Sequence, residues 1–569
     1  MASSITILDR KAISDVFKLH GLILKLDAAR FFTENIPVLL HEMYQDVEHM
    51  PQDQLNMIQR KWLEKVVSAV KTLPLEDPNI SIETVRTALT GLKVQYNSTD
   101  PAEDEHTFRV IDALSIPKLT YDSQLKRMVT ANSECRSNAV GLYGSPSNKT
   151  RLYIDRYRLV FQDVARHRLF TTRSESQDGK VRLNTVESLL SMNSSVENKV
   201  VALGMITQLK EDKFYLEDPT SVIELDLSEA KYRAPGLYTE NGMVLAEGYV
   251  IDKVYHVTGI CQPTRSPSNI HNESDGLILF GGITHASDEL YRNMAAIETS
   301  PDNIDNFFVF LSDTWLDSER VLAKLKIMFD GYSDTATRQP VAFIFCGQFV
   351  SNTACEGREK LRQLKEGFRK LAALIANYKS LASESHFVFV PSPRDSMIPD
   401  ILPCPPLPRN IVEPVVKAIG SKRCHLTTNP VRIQYCTKKI VILRADMIHR
   451  MCRNTIHMPS AKQDVPAHFV HTIISQAHLA PLPVHVCPVY WPRDYALYLY
   501  PMPDLLVLAD KYDPYTHDAY ACRVINPGPF LQSNFAFKCY IPAAPCEDGL
   551  ENGSQRIRIG KVDDCMIGD

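Results

Sequence analysis

Three short apolar runs, FFVFL (307–311), VAFIFC (341–346) and HFVFV (386–390), constrain this 569-residue chain more than any other feature. Each is too short to cross a bilayer, which takes about 20 residues. Each suits a strand buried on both faces. Between them run amphipathic helical patterns. Val321, Leu322, Leu325, Met328 and Phe329 mark one; Leu361, Leu364, Phe368, Leu371, Ile375 and Tyr378 mark the other. Strand–helix–strand–helix–strand implies parallel pairing through right-handed crossovers. Further strand-like runs follow at 431–436, 439–445, 485–491, 495–500 and 505–510, with one helical stretch at 468–478. They predict a second sheet packed on the first.

Upstream the periodicity differs. Residues 200–209, 213–228, 242–251 and 254–260 alternate as short strands around an Asp218-Pro219-Thr220 turn, a pattern that predicts an OB-fold barrel. Phe214 and Tyr215 offer either a stacking platform for single strands or barrel core. Residues 1–95 read as a helical unit. Leu55, Ile58, Trp62, Val66 and Val70 form one stripe, and Asp27 and Ser81 are candidate caps. The polar stretch 97–107 reads as a linker. The expected organisation is a multidomain α+β chain: an N-terminal helical bundle (1–95), a linker and basic helical segment (96–190), an OB-fold (191–265), a connector packed on both neighbours (266–304), and a two-sheet α/β domain (305–569).

A net charge of −4 excludes a polybasic nucleic-acid binder, so any such contact must be local. The one local excess is 149–173, with seven Lys/Arg against two Asp, and Tyr153, Tyr157, Val160, Phe161 and Val164 on one helical face. It reads as a helix with a solvated basic face, or as a contact patch through Arg156, Arg158, Arg166 and Arg168 for nucleic acid or an acidic partner. Thirteen scattered cysteines without a C-x-x-C suggest reduced, buried thiols. With no signal sequence and no span, the chain is expected in cytosol or nucleus. His449, Cys452 and His457, and the His468/His471 pair, lack the flanking turns of a zinc knuckle and read as core or surface residues. No nucleophile motif or phosphate-binding glycine loop is present.

Ligands of parallel α/β sheets sit at the carboxyl ends of strands. Here those ends carry LSDTW (311–315), CGQF (346–349) and VPSPRD (390–395). Their order resembles the calcineurin-like metallophosphoesterases, which place D-x-H, G-D, G-N-H-D/E and G-H-x-H there to hold two metals. In that frame Asp313 stands for the first Asp and Trp315 replaces the His. Gly347 is kept, and Gln348 replaces the bridging Asp. Ser392, Pro393, Arg394 and Asp395 replace G-N-H-D, and no G-H-x-H exists. A neutral amide cannot bridge two dications, and Arg394 adds positive charge. The expectation is therefore no catalytic residue, no metal and no cofactor, with Asp313 and Arg394 pairing where the metals would sit.

Helical N-domain, OB-fold and ligand-stripped phosphoesterase together resemble the B-subunit family of eukaryotic replicative DNA polymerases, the epsilon branch above all. The strings LGMITQLKEDKFYLEDPTSVIELDLS (203–228), FVFLSDTWLD (308–317), SQAHLAPLPVHVCPVYWPRDYAL (475–497) and PDLLVLADKYDPY (503–515) carry that resemblance. It implies a nuclear, non-catalytic scaffold. Such scaffolds bind the Cys-rich C-terminal domain of the DNA polymerase epsilon catalytic subunit. They link it to the replicative helicase through GINS, by way of the N-terminal domain, and they meet DNA indirectly or weakly. The rival classes are a metal-dependent phosphodiesterase or nuclease, and an OB-fold single-stranded DNA-binding protein.

Overall fold

The computed structural model describes residues 10–32 (without 21), scattered positions from 63 to 86, 107–122, 124, 127–130, 143–171, 182–192, 199–265 (without 234), 273–281, 288–333, 338–351, 357–395, 400–459, 464–543 and 560–568. The chain divides into two units, 1–106 and 107–569.

In the first unit the helix Arg10–Leu19 buries Ile13 and Phe17, and the Phe17 ring lies 5.5 Å from that of Phe32. Beside it Ile23–Leu24 pairs in parallel with Asn79–Ile80, a contact that helical periodicity does not announce. Ser81 caps as expected, its Oγ accepting from the Thr84 amide at 3.4 Å. Asp27 instead lies inside a first helical turn. Val66 and Val70 are buried, whereas Leu55, Ile58, Trp62 and the 97–106 linker lie outside the described residues.

In the second unit, five principal strands close a barrel: Val200–Lys210, Lys213–Glu217, Val222–Asp226, Met243–Ile251 and Val254–Cys261. Closure is a parallel pairing of Tyr255 with Leu225. A bulge at Glu247/Gly248 bends the wall. A Cβ on Gly248 would meet the His256 carbonyl oxygen at 2.1 Å, so only glycine fits. Phe214 packs inward with Ile206, Leu216 and Val257.

The remainder is two stacked six-stranded sheets. In the first, Cys424–Leu426, His386–Val390, Ala342–Cys346 and Phe308–Ser312 run parallel, extended by antiparallel Ala536–Ile541 and Lys561–Met566. Strand alternation sorts its side chains. Phe308, Phe310, Ile344 and Val388 face the second sheet's Ile433, Ile442 and Val507. Val309, Leu311, Phe345 and Phe389 face the helices Glu319–Ser333, Gly357–Ile375 and Arg409–Ile419.

Two expectations change here. Phe108–Asp112, in the segment read as linker and basic helix, is an edge strand of the second sheet, antiparallel to Val431–Tyr435. The runs 485–491 and 495–500, read as strands, instead form irregular chain and the 3₁₀ helix Trp491–Leu497. Pro488 and Pro492 remove ladder donors there. The connector supplies helices Glu273–Phe280 and Asp288–Glu298, whose Leu277 and Met294 join the inter-sheet core.

Candidate functional site

The carboxyl edge of the first sheet assembles the expected positions. Asp313 follows directly on Phe308–Ser312, and its carboxylate is fully buried. Its Oδ1 accepts from the Gln348 amide at 2.8 Å and from Arg444 Nη2 at 2.7 Å; its Oδ2 accepts from Nη2 at 3.0 Å. Arg444 ends the strand Lys438–Arg444 of the other sheet. Its remaining donors reach the Gly347 carbonyl at 2.5 Å and Asp446 Oδ1 at 2.7 Å. Burial opposes the guanidinium charge, but Asp313 and Asp446 outweigh it and push its pKa above the ordinary value. One guanidinium thus ties both sheets together.

Asp395 is also buried. Its two oxygens accept from the Phe349 amide at 2.8 Å and the Ser392 amide at 3.0 Å. Burial pushes its pKa up to about 6, against the pull of those amides. Gly347 leaves room for it, since a Cβ there would lie 1.9 Å from Asp395 Oδ2. Gln348 donates to the Val350 carbonyl at 2.7 Å. Trp315 packs partly buried against the helices of the first sheet.

The expected Asp313–Arg394 pair does not form. Arg394 is half-exposed, and its Nη2 lies 3.5 Å from Asp446 Oδ2. It is displaced because Arg444 already takes both Asp313 oxygens. The sequence signal for Arg444 is a fixed charge closing the apolar run KIVILRA (439–445). Among the described residues no three His, Cys, Asp or Glu side chains converge as a metal requires. His468 instead hydrogen-bonds the Gly236 amide through Nδ1 at 2.8 Å, and His457 stacks on Tyr232 at 3.9 Å.

The basic segment forms the helix Pro146–Arg166, one face of which sets Val160 and Val164 on the barrel's Leu203 and Met243. Arg156, expected in a contact patch, is corrected by the structure. It is buried and bidentate on Asp494, at 2.6 and 3.0 Å. Its position on the inner helical face sends it to the 3₁₀ helix, where His478 also approaches Asp494 at 3.2 Å. Arg158 is half-exposed and 3.9 Å from Asp155. Arg166 is partly buried, and the Arg168 side chain lies outside the described residues.

A profile of the DNA polymerase alpha/epsilon B-subunit family matches residues 308–517, and one described as "DNA polymerase epsilon subunit 2-like, OB-fold domain" matches 146–264. The mouse protein "DNA polymerase epsilon subunit 2" is 41% identical over 541 residues, covering 94% of this chain and 97% of its own. The human protein of that name is 40% identical over 540 residues, covering 94% and 97%. Its Drosophila melanogaster namesake is 33% identical over 543 residues, covering 94% and 96%.

Proposed function

The chain belongs to the DNA polymerase epsilon subunit 2 family, and on that premise we propose that it is a nuclear, non-catalytic scaffold of the polymerase complex in chromosomal replication. It binds the Cys-rich C-terminal domain of the catalytic subunit and, through residues 1–95 and GINS, ties it to the replicative helicase. The 305–569 body is an inactivated phosphoesterase, and 191–265 is its barrel partner. The observation that carries this reading is the Arg444–Asp313 pair. Where a phosphoesterase needs a metal-bridging carboxylate cluster to activate water, this chain holds a buried guanidinium and the neutral Gln348, with Trp315 in place of the expected imidazole.

Affinity capture of the whole chain from nuclear extract, followed by identification of stoichiometric partners, tests the scaffold. Recovery of the polymerase catalytic subunit in equal amount is the expected result; its absence overturns the reading. Purified protein equilibrated with manganese and desalted should retain less than one metal per chain and leave a phosphodiester substrate intact. Two retained metals with hydrolysis would favour the phosphodiesterase.

A further inference from the structure

The helix Pro146–Arg166 withdraws Arg156 into the core, yet its first turns open a cleft against the 3₁₀ helix Trp491–Leu497. Lys118, Asn148, Arg151 and Trp491 line that cleft. Lys149 Nζ sits 5.8 Å from the Trp491 ring centroid, and Arg151 is 57% exposed. Tyr143, just before the helix, is 97% exposed. Lys118 and Arg151 line the cleft with two carboxylates, Asp494, which is taken up by the buried Arg156, and Asp155, which lies 3.5 Å from Arg151 and 3.9 Å from Arg158; Lys149 adds a further cation beside Trp491. Neither Lys118 nor Lys149 forms an ion pair among the described residues. On the barrel wall, by contrast, some cations are neutralised by facing carboxylates. Lys213 meets Glu224 at 2.6 Å, and Arg233 meets Glu247 at 2.7 Å. On a chain of net charge −4, the cleft is a local island of positive charge with aromatic rings on it.

Cations interleaved with aromatic faces suit a single-stranded nucleic acid, whose phosphates take the charge while its bases stack. An acidic peptide would use the cations and leave Trp491 and Tyr143 without a role. We infer that the cleft between the start of the Pro146–Arg166 helix and Trp491 binds single-stranded nucleic acid, with phosphates on Lys118, Lys149 and Arg151 and a base against Trp491. The inference is independent of which proteins the scaffold joins. The anchoring is rigid, since the Arg156–Asp494 pair fixes the helix to the 3₁₀ turn that carries Trp491.

The test is fluorescence anisotropy of labelled oligothymidylate, about 15 nucleotides long, with the full chain. Binding should saturate at low salt. Lys149→Glu with Arg151→Glu, both at the surface, should weaken it at least about tenfold and lower the slope of log K against log salt by roughly 1.4, for two phosphates. Trp491→Ala should weaken it about five-fold or more, with Trp491→Phe partly restoring it. Unchanged melting temperature of the Glu pair establishes that its fold is intact. No saturable binding by the native chain, or an unchanged affinity in the Glu pair, overturns the inference. Displacement by polyglutamate as readily as by unlabelled oligothymidylate also overturns it, in favour of an acidic protein surface.

Discussion

Arg444 reaches from the end of one sheet to the carboxyl edge of the other, where Asp313 is its fully buried partner. Removing one member of a buried pair leaves the other charge unpaired, at a cost of about 3–5 kcal/mol. Arg444→Met should therefore lower stability by that amount in denaturant unfolding. Arg444→Met combined with Asp313→Leu should lose distinctly less, because neither charge is stranded. Arg156 and Arg158 offer a matched contrast on one helix. Arg156→Gln strands Asp494 and should destabilise by a comparable amount, whereas Arg158→Gln at the surface should stay within about 0.5 kcal/mol. Asp395 sets a pH signature. Its folded pKa of about 6 lies above that of an unfolded aspartate, about 3.9, so between those values the native state holds the extra proton. Its contribution is then favourable at low pH and lost as pH rises through 6. The stability of the native chain minus that of Asp395→Asn should fall by roughly 1–3 kcal/mol from pH 4 to pH 7 in urea titrations. A rise over that range would contradict the buried, protonatable carboxyl.

Among the elements, the strand Phe108–Asp112 shows how a segment distant in sequence completes a sheet. The Phe108 ring lies 4.2 Å from that of His386 and 6.3 Å from that of Phe308, so it sits on the seam between the two sheets. Asp112 Oδ1 accepts from the Thr428 amide at 3.0 Å, and the Ala113 amide donates to Thr428 Oγ1 at 2.7 Å. Phe108→Ala should cost about 3–5 kcal/mol, measured by thermal or denaturant unfolding. That is far more than a residue in a tether would cost, so a loss under about 1 kcal/mol would deny the strand its place. The helix Pro146–Arg166 is likewise defined by two inner faces. Leu152 and Leu159 join the core behind the second sheet, while Val160 and Val164 meet the barrel. Apart from Arg156, its basic residues are left to the rest of its circumference.

At the scale of the molecule, the proposed division of labour assigns the polymerase contact to the second unit and the helicase contact to residues 1–95. A chain lacking 1–95 should still co-purify with the catalytic subunit, yet fail to capture GINS. Pull-downs with each partner decide this. Loss of the catalytic subunit on truncation would show the two contacts to be placed wrongly. The second unit comprises residues 107–569 and contains both segments matched by the family profiles.

The amino-acid sequence alone determined what local periodicity and composition encode. The doubly buried runs at 308–312, 342–346 and 386–390 were legible as parallel strands, and alternation from 200 to 260 as a barrel. The polar residues at the strand ends marked the site, because topology puts them at one edge. Only the tertiary structure decided the pairings that depend on approach through space. Arg444, 131 positions from Asp313, wins that carboxylate over the expected Arg394 because its strand ends directly opposite, in the facing sheet. Arg156 turns inward because Asp494, 338 positions away, waits on a 3₁₀ turn that proline imposes where apolar runs suggested strands. Long-range ion pairs leave no periodic trace in a sequence, since their energy depends on burial and geometry that exist only once the chain has folded.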